Sequence, residues 1–117
     1  MTAIVYHNPR CSKSRQTIQM LTEQGIPYDC VLYLDDGLSL ATLQSLLVAL
    51  GFTSVRDMMR SKEPLYKALG LDNEGDEAVL LQALVNHPKL LERPIVVYDN
   101  RAQIGRPPEA VMRLFSI

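Results

Sequence analysis

The sequence predicts an α/β fold with a mixed four-stranded sheet, in the element order β-α-β, helical insertion, β-β-α. Three observations predict it. A short run of β-formers at the N-terminus is followed by a polar break, a helical pattern and a second β-like run at Tyr28 to Tyr33. The middle of the chain repeats leucines at helical spacing. After Arg93-Pro94 the pattern changes sharply to the β run Ile95-Val96-Val97-Tyr98.

The first strand is Ala3-Ile4-Val5-Tyr6, and His7-Asn8-Pro9-Arg10 breaks it with a polar, proline-containing loop. A helix follows from Cys11 or Ser12, with Ile18 and Leu21 on its inner face. Gly25 closes that helix and Pro27 prevents its return. Tyr28 to Tyr33 alternates as a half-buried strand, and a β-α-β crossover makes the two strands parallel. Leu40, Leu43, Leu47 and Leu50 recur at the spacing of one helical face. Ser54 to Met59 and Leu65 to Leu69 read as shorter helical pieces, and Glu77 to Asn86 as a helix apolar on several sides. Asp99-Asn100 turns the strand Ile95 to Tyr98 into an antiparallel return over Ala102 to Gly105. Pro107-Pro108-Glu109 opens a last helix with Val111, Leu114 and Phe115 inward. This is the element order of a thioredoxin-like domain, with a helical insertion over about residues 38–90 of a single domain spanning residues 1–117.

At 117 residues, 47% hydrophobic and 21% charged, the chain supports one core without disulfide staples, and its composition excludes disorder. A formal net charge of −1 leaves no overall basicity to draw it to nucleic acid. No apolar run reaches the roughly eighteen residues of a membrane span, and the N-terminus lacks the pattern of a secretory signal. Cys11 and Cys30 are too few for a disulfide-stapled secreted fold. With His7 and His87 they form no C-x-x-C or H-x-x-x-H pair, so no metal site is expected. The expected compartment is the cytoplasm.

Cys11 stands at the predicted helix start, where four backbone N–H groups lack intrahelical partners and the peptide dipoles leave partial positive charge. A thiolate there is stabilised, which lowers its pKa below the free value of about 8.5. Arg10, Lys13 and Arg15 add positive field, and His7, four residues earlier, is near enough to hydrogen-bond or charge-stabilise the sulfur. The same N–H groups form a cradle for an oxyanion. The bland reading of Cys11 is an idle buried thiol; its cationic, polar neighbours favour the reactive one. Cys30, beside Val31 and Leu32, reads as a small core residue. Ser14 replaces the second cysteine of a C-x-x-C loop, so a dithiol cycle within the loop is impossible and a second thiol must come from another molecule. Ser14 is either a donor to sulfur or oxyanion, or simply a first-turn residue.

Eight of the twelve basic residues are arginine. Arg60 falls inside a predicted helical segment, while Arg93 and Arg106 directly precede prolines, which biases them toward extended backbone. A thioredoxin-like fold places a cis-proline before its third strand, beside the reactive cysteine, and Arg93-Pro94 occupies that point. Guanidinium forks suit a tetrahedral oxyanion bidentately. Taken singly, each arginine also reads as a surface charge.

Four stretches together resemble the arsenate reductase (ArsC) family. They are Tyr6-His7-Asn8-Pro9-Arg10-Cys11-Ser12-Lys13-Ser14-Arg15 with Leu32-Tyr33-Leu34, Val55 to Arg60, His87 to Val97, and Ile104 to Glu109. The resemblance is greatest to the short, YfgD-like members. It implies a thioredoxin-like fold and glutathione- and glutaredoxin-dependent reduction of arsenate to arsenite, with glutathione as co-substrate and no tightly bound cofactor. Carried over by motif, Cys11 is the nucleophile, and Arg60, Arg93 and Arg106 hold the oxyanion. His7 favours the thiolate, while Ser14 and Arg15 support the loop. Two other readings stay open: a glutathione-linked thiol oxidoreductase acting on another substrate, and a non-catalytic, Spx-like protein-binding regulator. The Spx-type relatives carry a C-x-x-C switch that C-S-K-S lacks.

Overall fold

The computed structural model describes residues 1–115. Four strands, β1 (Ala3–Tyr6), β2 (Tyr28–Val31), β3 (Ile95–Tyr98) and β4 (Arg101–Ile104), form one sheet in the order β2-β1-β3-β4. β1 pairs parallel with β2 and antiparallel with β3, and β3 pairs antiparallel with β4. Asp99 and Asn100 turn the β3–β4 hairpin with positive φ values of 53° and 63°, the conformation that a two-residue turn matching strand twist requires. The result is the thioredoxin-like arrangement.

Alternation along the strands sorts side chains into two cores. Ala3, Val5 and Val96 face α1 (Ser12–Glu23) and the C-terminal 3₁₀ helix Pro108–Leu114, packing with Leu21, Val111 and Leu114. Ile95 and Ala102 face the other way. There the inserted segments supply a larger cluster that includes Tyr33, Leu43, Met58, Leu84 and Leu90. The insertion holds α2 (Tyr33–Asp36), α3 (Leu40–Leu50), α4 (Pro64–Ala68) and α5 (Glu77–Asn86), joined by 3₁₀ turns. Ser39 caps α3 by accepting from the Thr42 N–H at 3.1 Å, and Asp76 caps α5 by accepting from the Ala78 N–H at 2.9 Å. Glu77, at the start of α5, accepts from the Val55 N–H at 2.7 Å and the Ser54 hydroxyl at 3.1 Å. These bonds tie the two halves of the insertion together.

Several expectations are corrected. β2 stops at Val31 because Leu32 turns the chain into α2, so Tyr33 opens a helix rather than ending a strand. Cys30 is exposed, not a core residue. It lies on an edge strand, where neighbouring elements cover side chains from one direction only. Arg60 lies outside any helix. The 3₁₀ turn Val55–Met58 ends before it, and an isolated bridge between Met59 and Leu91 holds the chain extended there. The last helix is 3₁₀ rather than α. In α3 the buried stripe is Leu43 and Leu46, with Leu40 exposed, because the capped first turn faces solvent. In α1 the buried positions are Ser14, Thr17 and Leu21, with Ile18 only partly covered, because the first turn packs against a polar loop.

Candidate active site

β1 runs directly into the loop that carries Cys11, which sits at the N-cap of α1. The loop is held by its own polar groups. Buried Asn8 accepts at its carbonyl from the Cys11 N–H (3.0 Å) and at Oδ1 from the Arg10 N–H (3.0 Å). Its own N–H donates to Ser14 Oγ at 3.1 Å. Ser14 is completely buried, and its hydroxyl lies 2.6 Å from His7 Nδ1. Burial and the nearby Arg15 charge keep the His7 pKa below its ordinary value. A neutral ring accepting at Nδ1 takes the Ser14 proton, which leaves the serine oxygen free to accept from Asn8. His7 thus reaches the loop through Ser14. Arg15 Nη1 donates to the Pro9 carbonyl at 3.0 Å and braces the loop from outside.

Cys11 is only 9% exposed, yet it belongs to neither apolar cluster. Burial alone would push its thiol up. The Ser14 N–H, the Arg93 guanidinium and the Lys13 N–H outweigh that, and the pKa lies below the ordinary thiol value. The two amides are first-turn donors without intrahelical acceptors. Arg106 adds a further contact, with Nη2 3.7 Å from Cys11 Sγ and Nε donating to the Arg93 carbonyl at 3.0 Å. Arg93 and Arg106 each precede a cis-proline, Pro94 and Pro107. The first matches the expectation from fold; the second had no sequence signal.

Arg60 enters from the insertion. Its N–H donates to the Leu90 carbonyl at 2.7 Å, and the Glu92 N–H donates to the Met58 carbonyl at 2.9 Å, which sets Arg60 beside Glu92. Arg60 Nη1 donates to Glu63 Oε2 at 2.8 Å, while its Nε stands 3.9 Å from Glu92 Oε1. Glu92 Oε2 is in turn 3.8 Å from Arg106 Nε. Arg60, Glu63, Glu92 and Arg106 line a cavity of about 300 Å³. The structure therefore joins Cys11, Arg93 and Arg106 directly, brings Arg60 in through Glu92, and sets His7, Ser14 and Arg15 as supports of the loop.

Sequence reasoning missed Asn8, Glu63, Glu92 and Tyr33. Asn8 had a legible signal, an Asx residue before proline in a polar loop. Tyr33 had none. Its fully buried hydroxyl has no hydrogen-bond partner among the described residues, and neither has Arg93 Nε. Burial pushes the Tyr33 pKa up to about 12, and the charges of Arg93, Arg60, Cys11 and Glu92 all act on it, so a neutral donor stands beside the thiol. Arg56, four residues before Arg60, serves the insertion instead. It donates to the Leu71 carbonyl at 2.7 Å and bonds the Tyr66 hydroxyl and the Glu74 carbonyl. Partial burial and Asp29 raise the Cys30 pKa, opposite to Cys11. Among the described residues, no group of three His, Cys, Asp or Glu is placed to hold a metal, and no helix is long and apolar enough to cross a membrane.

Known proteins are similar to this chain over nearly its whole length. The protein YfgD of Escherichia coli K12 is 53% identical over 111 residues, covering 94% of this chain and 93% of that protein. A Haemophilus influenzae protein named arsenate reductase is 48% identical over 115 residues, covering 97% of this chain and 99% of that one. The solved structure of an arsenate reductase from Vibrio cholerae superposes with a TM-score of 0.95 at 46% identity, covering 97% and 98% of the two chains. The model of the ArsC family matches residues 6–114, and this chain belongs to that family.

Proposed function

We propose that the chain is an arsenate reductase in which Cys11 is the sole nucleophile, with electrons supplied by glutathione and glutaredoxin. The observation that carries the proposal is the gathering of Arg93, Arg106 and the first-turn amides of α1 around one low-pKa sulfur. The thiolate attacks arsenic(V) and displaces hydroxide, giving a sulfur–arsenic adduct that is still arsenic(V). Glutathione replaces a second oxygen, which leaves as water. A glutaredoxin thiolate then attacks the glutathione sulfur. The sulfur–arsenic electron pair stays on arsenic, which becomes arsenic(III), and the two thiols leave as a mixed disulfide. Hydrolysis releases arsenite and restores Cys11. Buried donors without partners, Arg93 Nε and the Tyr33 hydroxyl, favour an anion rich in acceptor oxygens over an uncharged electrophile. No tightly bound cofactor enters the cycle, and its need for reduced glutathione assigns it to the cytoplasm.

The test is steady-state arsenate reduction with glutathione plus glutaredoxin, compared with thioredoxin. Turnover is expected only with the former, abolished in Cys11→Ser and nearly intact in Cys30→Ser. Wild-type turnover in Cys11→Ser would refute the mechanism.

A further inference from the structure

The cavity lined by Arg60 and Arg106, which Arg106 connects to Cys11 through the 3.7 Å contact of its Nη2 with Sγ, contains two carboxylates among its cations, an odd composition for a site that only collects anions. They are not equivalent. Glu63 is occupied, with Oε2 2.8 Å from Arg60 Nη1 and Oε1 3.4 Å from Lys89 Nζ. Glu92 stands between two guanidiniums, 3.9 Å from Arg60 Nε and 3.8 Å from Arg106 Nε. Both separations exceed hydrogen-bond length, so its oxygens keep acceptor capacity while its side chain is only 26% exposed. An ionised carboxylate accepts hydrogen bonds and donates none.

We propose that Glu92 is a specificity residue of this site, whose carboxylate selects a tetrahedral oxyanion still bearing a proton, such as arsenate or phosphate, over one bearing none, such as sulfate. The inference rests on the oxyanion site proposed above. Arg60 and Arg106 attract any tetrahedral anion, and Glu92, facing the same cavity, repels one that presents bare oxygens on every side. An O–H on the ligand turns that repulsion into a charge-assisted hydrogen bond. Arsenate and phosphate both keep a proton at neutral pH; sulfate keeps none. A site that hydrogen-bonds a ligand hydroxyl rejects analogues lacking it more strongly than shape alone does.

The experiment measures the rate of iodoacetamide alkylation of the Cys11 peptide, read by mass, at neutral pH and fixed ionic strength without glutathione. Arsenate, phosphate or sulfate is titrated against the wild type, Glu92→Gln and Glu63→Gln. In the wild type, arsenate and phosphate are expected to protect at concentrations about ten- to a hundredfold below sulfate. Glu92→Gln is expected to close most of that gap by gaining sulfate protection, whereas Glu63→Gln shifts protection by all three anions to a similar extent and leaves the gap in place. Protection by arsenate with an unchanged gap in Glu92→Gln overturns the role of Glu92, as does equal closure in Glu63→Gln. Absence of protection by any anion in the wild type removes the oxyanion site itself, and the inference with it.

Discussion

Gly105→Ala adds a single methyl group beneath the reactive loop. Gly105 is buried at the end of β4, and its N–H donates to the Pro94 carbonyl at 2.8 Å. A Cβ there would lie 2.7 Å from Pro94 Cγ and 2.8 Å from Thr17 Oγ1. Carbon contacts are comfortable from about 3.5 Å, so two neighbours must each retreat by roughly 0.7 Å. Neither moves freely. The Pro94 ring is fixed between Arg93 and β3, and the Thr17 hydroxyl donates to the Lys13 carbonyl at 2.9 Å. The φ of Gly105 is outside the left-handed region, so alanine gains about 0.4–1 kcal/mol from the unfolded chain. Overpacking costs about 1–3 kcal/mol and wins. With a net loss of about 1.3 kcal/mol, Tm falls by about 5 °C for a chain of this size. The displaced groups carry Arg93 and the first turn of α1, so Cys11 alkylation slows as well. Thermal melting followed by circular dichroism, together with the alkylation rate, reads both effects. In a Thr17→Ala background one obstacle is gone, and the double variant loses less than the sum of the single losses. An unchanged Tm and an unchanged alkylation rate would refute the reasoning.

Ser14→Ala leaves His7 Nδ1 and the buried Asn8 N–H without the hydroxyl they share; stability should drop by about 1–3 kcal/mol in denaturant melts, and a loss under 0.5 kcal/mol would count against the loop network. Arg93→Lys and Arg106→Lys replace forks with point charges, so KM for arsenate should rise in each while the fold melts as before. Unaltered KM in both would remove the proposed clamp.

The fold was legible because its signals were local. Ala3 to Tyr6, Ile95 to Tyr98 and Asp99-Asn100 announce strands and a hairpin through β-formers and a turn pair, and the order of elements supplied the sheet. Cys11 was legible for a similar reason, since a helix start can be read from the chain on either side of it. What escaped depends on contacts between distant segments. Nothing near Cys30 reveals that β2 is an edge strand, and nothing near Tyr33 shows that its hydroxyl is buried beside Arg93. Glu92 and Glu63 acquire meaning only when the Met59–Leu91 bridge sets them around Arg60. The arginines were picked as residue types at suggestive places; their meeting is a property of the packed insertion.

The most direct test of the account is the rate of Cys11 alkylation as a function of pH. First-turn amides and Arg93 hold the folded pKa down, so the thiolate persists to lower pH than in the unfolded chain and is lost only as pH falls through that depressed value. The predicted midpoint lies clearly below that of an unfolded peptide containing Cys11 measured alongside, and it moves up in Arg93→Lys. A midpoint equal to or above the peptide's would contradict the claim that this helix start and its arginines hold an ionised sulfur.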